Sequence, residues 1–160
     1  MENKKLVVFF TYTGHTKFIV DKIKEQIDCD VLEVKPIKPY SNNYDEVVNE
    51  YQDNESAKLT PEIEKINIDL SKYNEIIIGS PVWWYTITPP IRTFLKENNL
   101  TSKKLYFFAT NAGWLGRTFK EMESLCKNST IIDEMNIVFN ESNLITQEDE
   151  INNWIKKYFS

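Results

Sequence analysis

The sequence predicts an α/β fold: a doubly wound parallel sheet of five strands in the order 2-1-3-4-5, with helices on both faces. Three observations predict it. Short apolar runs of strand length recur along the chain, amphipathic helical stripes stand between them, and all four glycines follow or end such runs. Strands that alternate with helices pair in parallel through right-handed crossovers, which covers both faces of the sheet.

The first run, Lys5 to Thr11 (KLVVFFT), is almost continuously apolar, as expected of a strand buried on both sides. Shorter runs follow at Val31 to Val34, Glu75 to Gly79 (EIIIG), Leu105 to Ala109 (LYFFA) and Met135 to Phe139, the last preceded by Ile131 and Ile132. Between them, Ile19, Val20, Ile23 and Ile27 share a helical face, as do Ile91, Phe94 and Leu95, and Phe119, Met122 and Cys126 with Leu125 alongside. Ile151, Trp154, Ile155, Tyr158 and Phe159 give a final helix, with Thr146 and Asp149 spaced as a capping box. The connection from Pro36 to Asn74 is too long for a bare loop. Within it, Asp45 to Lys58 carries a weak helical stripe of Val47, Val48 and Tyr51, and Thr60, Pro61 and Glu62 suggest the start of another short helix.

At 160 residues the chain is expected to form one domain over its whole length, 1–160, around a single buried core. A composition of 41% hydrophobic and 27% charged residues is that of a folded, soluble protein. No apolar run approaches the length of a bilayer span, and the segment MENKKLVVFF passes from charge into a strand without a cleavage signal, so a cytoplasmic protein without a membrane partner is expected. A net charge of −5 with no basic run excludes nucleic acid as a partner. Cys29 and Cys126 form no CxxC pair and are expected to be buried free thiols, and the single histidine, His15, leaves no set of metal ligands.

The glycines locate a site. Gly14, Gly79, Gly113 and Gly116 fall at the carboxyl ends of strands 1, 3 and 4, where open α/β sheets bind ligands beside the reversal of strand order. The first loop, TYTGHT (Thr11 to Thr16), sets three threonines around one glycine just before a helix, a suitable cradle for a single phosphate at the helix N-terminus. It matches neither GxxxxGK[ST] nor GxGxxG. An ordinary cap by Thr13 or Thr16 is the plain alternative, and His15 either donates to a phosphate or stands idle. The stretch SPVWWYTITPP after strand 3 puts aromatic surface where a polar loop is expected, so a planar ring is expected against it, with one of Trp83 and Trp84 turned into the core.

TYTGHT resembles the [ST]xTGxT phosphate loop of flavodoxins. GSPVWWYTITPPIRTFL resembles the G-x-P-[IV]-W-W segment of a bacterial flavodoxin-like subgroup, FFATNAGWLGRTFKEM its third flavin loop, and PYSNNYDEVVNE its lengthened second connection. The resemblance implies a flavodoxin-like domain that holds FMN non-covalently. In that case Thr11, Tyr12, Thr13, Gly14, His15 and Thr16 hold the phosphate. Pro81, Val82, Trp83, Trp84 and Tyr85 form one wall of the isoalloxazine site, Thr110, Asn111, Ala112, Gly113 and Gly116 the other, with Trp114 over the ring's edge. The chain departs from the subgroup at Tyr85, where a glycine is common. With no residue there that tolerates positive φ, the backbone flip that stabilises a one-electron-reduced flavin in flavodoxins is expected to be unfavourable.

Function is expected to be that of an FMN-bearing electron carrier acting with redox partner proteins or a small-molecule electron acceptor. An apolar aromatic site in an acidic domain disfavours the anionic reduced flavin and lowers its potential. The alternative on the same fold is an NAD(P)H-dependent FMN or quinone reductase, which transfers two electrons at once. A phospho-acceptor receiver domain of similar topology needs an aspartate at the end of strand 3, where the chain has Gly79, Ser80 and Pro81.

Overall fold

A computed structural model of the chain describes residues 4–50 and 59–159. Its strands β1 (Lys5–Phe9), β2 (Asp30–Glu33), β3 (Glu75–Trp83), β5 (Lys104–Asn111) and β6 (Thr130–Asn140) pair in parallel in the order β2-β1-β3-β5-β6. This is the expected 2-1-3-4-5 path. The strand count differs: two short strands, β4 (Thr86–Ile87) and β7 (Asn143–Leu144), fold back antiparallel on β3 and β6 and bring the sheet to seven strands. Two-residue hairpin arms carry no hydrophobic run, so a pattern search passes over them.

Alternation along the strands divides the core. Leu6, Val8, Ile76, Ile78, Leu105 and Phe107 face helices α3 (Pro89–Glu97) and α4 (Thr118–Leu125), packing on Ile91, Phe94, Leu95 and Met122. Their neighbours Val7, Phe9, Ile77, Tyr106, Phe108 and Ile137 face α1 (His15–Gln26) and α5 (Glu148–Phe159), meeting Ile19, Val20, Ile23, Ile151 and Ile155. Cys126 lies in the first core, where burial pushes its thiol up to about 12. Cys29 is only half-buried, against expectation, because it stands at the exposed start of β2. Both thiols are free.

Gly79 belongs to packing rather than to a loop. It lies inside β3, and a Cβ there would stand 2.2 Å from the ring of Phe108 on the neighbouring strand, so only glycine lets that ring lie flat on the sheet.

The long connection contains one described helix, α2 (Tyr44–Glu50); Tyr51 and the rest of the polar stripe to Lys58 lie outside the described residues. No helix begins at Thr60 to Glu62. The segment is extended instead, bridging Ile63 to Pro36, with Ile37 N–H donating to the Glu62 carbonyl (2.9 Å) and Glu64 N–H to the Lys35 carbonyl (2.7 Å). The Pro61 carbonyl accepts from Thr93 Oγ1 at 2.7 Å, a bond that holds this stretch on α3. The expected capping box also fails: Thr146 Oγ1 accepts from the Val138 N–H of β6 (2.7 Å), and the Gln147 carbonyl starts α5. Among the described residues no helix is long and apolar enough to cross a membrane, and no cluster of metal-ligating side chains occurs.

Candidate functional site

Most of the aromatic stretch is strand, not loop. β3 continues through Trp83 and turns back into β4, with Val82 paired to Ile87 and Trp83 to Thr86, so the turn itself is only Trp84 and Tyr85. Both have positive φ, 50° and 63°. Two left-handed residues match the twist of a two-residue hairpin, a position that ordinarily selects Asn-Gly. Tryptophan and tyrosine there carry about 1–2 kcal/mol of strain each. The expectation that no residue of this segment takes positive φ is thus corrected: the hairpin geometry imposes it.

Several contacts hold the turn. Arg117 N–H donates to the Tyr85 carbonyl at 2.6 Å, and Gly116, at φ 56°, packs so closely that a Cβ would lie 2.3 Å from that oxygen. The Thr86 hydroxyl donates to Glu121 of α4. At the base of the hairpin the buried Ser80 hydroxyl meets Thr88 Oγ1 at 2.9 Å and receives the Thr88 N–H.

Trp83 is the tryptophan that faces inward, packing edge-on against Phe10, Tyr12 and Tyr40 at centroid distances of 5.7, 5.5 and 5.0 Å. Along with Val82, Trp84 and Tyr85 it lines one side of a cleft of about 360 Å³. Asn111, Ala112 and Trp114 line the other side. Trp114 is 66% exposed and lies edge-on to Tyr85 at 6.5 Å. Asn111 shapes this loop, its Oδ1 accepting the N–H groups of Gly113 (2.8 Å) and Trp114 (3.0 Å). Tyr44, Val47 and Val48 of α2 also line the cleft, and sequence reasoning missed them as site residues. Val47 and Val48 showed from the residues only as a weak apolar stripe in a polar segment, and the resemblance of PYSNNYDEVVNE to a lengthened second connection assigned none of the three to the site.

The first loop packs on residues of the other two loops without itself lining the cleft. Tyr12 packs on Trp83, and the buried Thr16 hydroxyl meets Thr110 Oγ1 at 2.8 Å. Tyr12 also donates to the Ser41 carbonyl, and burial, then the charge of Glu46, pushes its phenol upward in pKa. Gly14, at φ 97°, is the N-cap of α1, so neither Thr13 nor Thr16 caps the helix with its side chain. Thr11 Oγ1 accepts from Gly14 N–H (3.2 Å), which folds the loop back on itself. Thr13 is exposed, and His15 stacks flat on Phe139 at 4.2 Å. Pro81, Thr110, Gly113 and Gly116 stand beside the cleft without lining it: Pro81 and Thr110 are register partners in the sheet, while Gly113 and Gly116 shape the third loop.

Behind the hairpin lies a charged pair. Arg92, only 1% exposed, donates through Nε and Nη2 to the two oxygens of Glu121 at 2.8 and 2.7 Å, and through Nη1 to the Leu59 carbonyl at 3.2 Å. Burial pushes the Glu121 carboxyl up, but hydrogen bonds from Arg92 and Thr86 and the charges of Arg92 and Lys96 outweigh it, leaving the group below the usual glutamate range.

A flavoprotein from Lactobacillus acidophilus solved in complex with FMN is 25% identical to this chain, with a TM-score of 0.75 over 96% of this chain and 99% of that one. A protein from Bacteroides eggerthii is likewise 25% identical, with a TM-score of 0.73 over 98% of each chain. A flavodoxin from the domain Archaea, 13% identical, shares the fold at a TM-score of 0.54 over 96% of this chain and 92% of that one. No curated protein matches the chain. Residues 4–158 match the family described as Flavodoxin, a match that covers nearly the whole sequence, and the chain belongs to the flavodoxin family.

Proposed function

We propose that this chain binds FMN non-covalently and serves as a cytoplasmic electron carrier, exchanging electrons with a partner protein or a small-molecule acceptor. One observation carries the reading: a glycine-capped helix start and two aromatic-bearing loops converge at the carboxyl edge of the sheet, beside the reversal of strand order. The residues present suit the group. The cleft is lined on both sides by aromatic and small side chains, and the first loop adjoins it, Tyr12 packing on Trp83 of one wall and Thr16 bonding to Thr110 beside the other. The L. acidophilus flavoprotein with FMN supports the choice of cofactor.

When bound, FMN supplies the redox chemistry at its isoalloxazine ring. The protein binds and screens it. The N-cap of α1 is a glycine and its first turn holds no acidic residue, which suits a phosphate at its N–H groups and positive dipole end; Thr11 Oγ1 takes the Lys17 N–H of that turn at 3.4 Å. Trp84, Tyr85 and Trp114 offer ring faces and edges for stacking, worth about 1 kcal/mol each beyond area burial. Val47 and Val48 exclude water from the α2 side.

The carrier reading is favoured over a two-electron reductase by the turn: Trp84 and Tyr85 already stand at positive φ, so the left-handed backbone that the sequence argued against is present. Anaerobic reductive titration of the FMN-loaded protein, followed by absorbance, is expected to give two resolved one-electron steps. A single two-electron step would overturn the carrier reading and favour the reductase.

A further inference from the structure

We propose that Thr86, Glu121 and Arg92 form a positioning network that holds the Trp84–Tyr85 turn in its left-handed form and thereby sets the FMN cleft. The proposal deepens the FMN reading above and rests on it.

Two adjacent bulky residues at φ 50° and 63° persist only where their surroundings over-determine the backbone. The hairpin cannot do so alone, because β4 has two residues and pairs only with β3. What holds the tip comes from α4. Arg117 N–H takes the Tyr85 carbonyl, and Glu121, one turn on, takes the Thr86 hydroxyl. These two bonds fix consecutive residues of the hairpin to one face of one helix.

Glu121 is itself held. Both its oxygens receive Arg92, whose third bond reaches the Leu59 carbonyl of the long connection. A buried ion pair is weak support for stability as such, since desolvation offsets much of its attraction, whereas fixing one arrangement among several is its better-attested use. Here the pair joins α3, α4, the hairpin and the long connection at a point directly behind a cleft wall. Relaxing Trp84 or Tyr85 to negative φ would reorient the peptide between them and move both side chains that line the cleft. The three residues touch no cleft surface, so they act on it only through the turn.

The test uses Thr86→Val in the full chain, which keeps the branched shape and removes the hydroxyl, with Thr86→Ser as the variant that restores it. Two quantities are read: the FMN Kd by quenching of flavin fluorescence, and hydrogen exchange of the Arg117 amide in the FMN-free protein. Thr86→Val is expected to weaken FMN about tenfold and to speed Arg117 exchange about tenfold, as fits the loss of one hydrogen bond to a charged acceptor. Thr86→Ser is expected to stay within about threefold of wild type on both. In a Tyr85→Gly background, where one of the two strained residues is relieved and Trp84 alone stays strained, the effect of Thr86→Val on Kd should shrink to about threefold. Equal weakening in both backgrounds would overturn the proposal, because Thr86 would then act independently of the turn; so would unchanged Kd and exchange in Thr86→Val. If wild type took up no FMN, the cofactor reading would fall by itself, and the Arg117 exchange rate would still decide whether the network braces the turn.

Discussion

Replacing Arg92 by leucine is expected to destabilise the fold by about 3 kcal/mol at neutral pH, the lower end of what breaking a buried pair costs, because Glu121 keeps some solvent. The penalty comes from leaving a carboxylate half-buried with the Thr86 hydroxyl and the charge of Lys96 to favour its ionised form. The pH dependence has a definite sign. In wild type the folded pKa of Glu121 is lowered, so its contribution is present above the unfolded pKa and disappears as pH falls through the folded value. Without Arg92 the same carboxyl is governed by burial and moves upward. The difference between wild type and Arg92→Leu in urea unfolding should therefore be largest near neutrality and shrink on acidification through the glutamate range. A difference that stayed constant between neutral and acid pH would show that Arg92 acts by packing alone.

Gly116→Ala is expected to cost roughly 2–3 kcal/mol in unfolding free energy and to weaken FMN at least about tenfold. Two effects add. The residue stands at φ 56°, which alanine resists, and its new Cβ would lie 2.3, 2.4 and 2.7 Å from the carbonyl oxygen, Cβ and Cα of Tyr85. Two of these atoms are backbone, so no flexible side chain can swing aside. Either the third loop lifts from the hairpin or the turn shifts, and both break the bond from Arg117 N–H to Tyr85. Gly113→Ala is the matched control: φ is 110° there but nothing lies within 4 Å, so about 1 kcal/mol of backbone strain is expected and no clash. Thermal unfolding and FMN titration of the two variants side by side separate conformational strain from collision.

Much of the architecture was legible because buried parallel strands and amphipathic helices are repetitive. EIIIG and LYFFA admit few other readings, and the stripe Ile151, Trp154, Ile155, Phe159 packs as its spacing requires. The errors lie where a side chain serves a partner distant in sequence. Thr146 has the form of a helix cap but its hydroxyl serves β6, and Pro61 has the form of a first turn but its carbonyl serves Thr93. In the site, the loops that carry Trp84, Tyr85, Asn111, Ala112 and Trp114 were found from glycines and aromatics, because these residue types announce turns and flat surfaces. The left-handed turn was misjudged, since Trp-Tyr argues locally against positive φ and only the pairing of Trp83 with Thr86 imposes it. The α2 wall and the Arg92–Glu121 pair depend on contacts across 29 or more positions, which no local pattern records.

The measurement that tests the central claim most directly is titration of FMN into the flavin-free protein, followed by flavin and tryptophan fluorescence. The cleft predicts saturable uptake of one FMN per chain, with mutual quenching as the ring meets Trp84 and Trp114, and weakened uptake in Trp84→Ala. Flavin fluorescence that stays unchanged as protein is added in excess would contradict the account, leaving a flavodoxin fold whose cleft serves some other ligand.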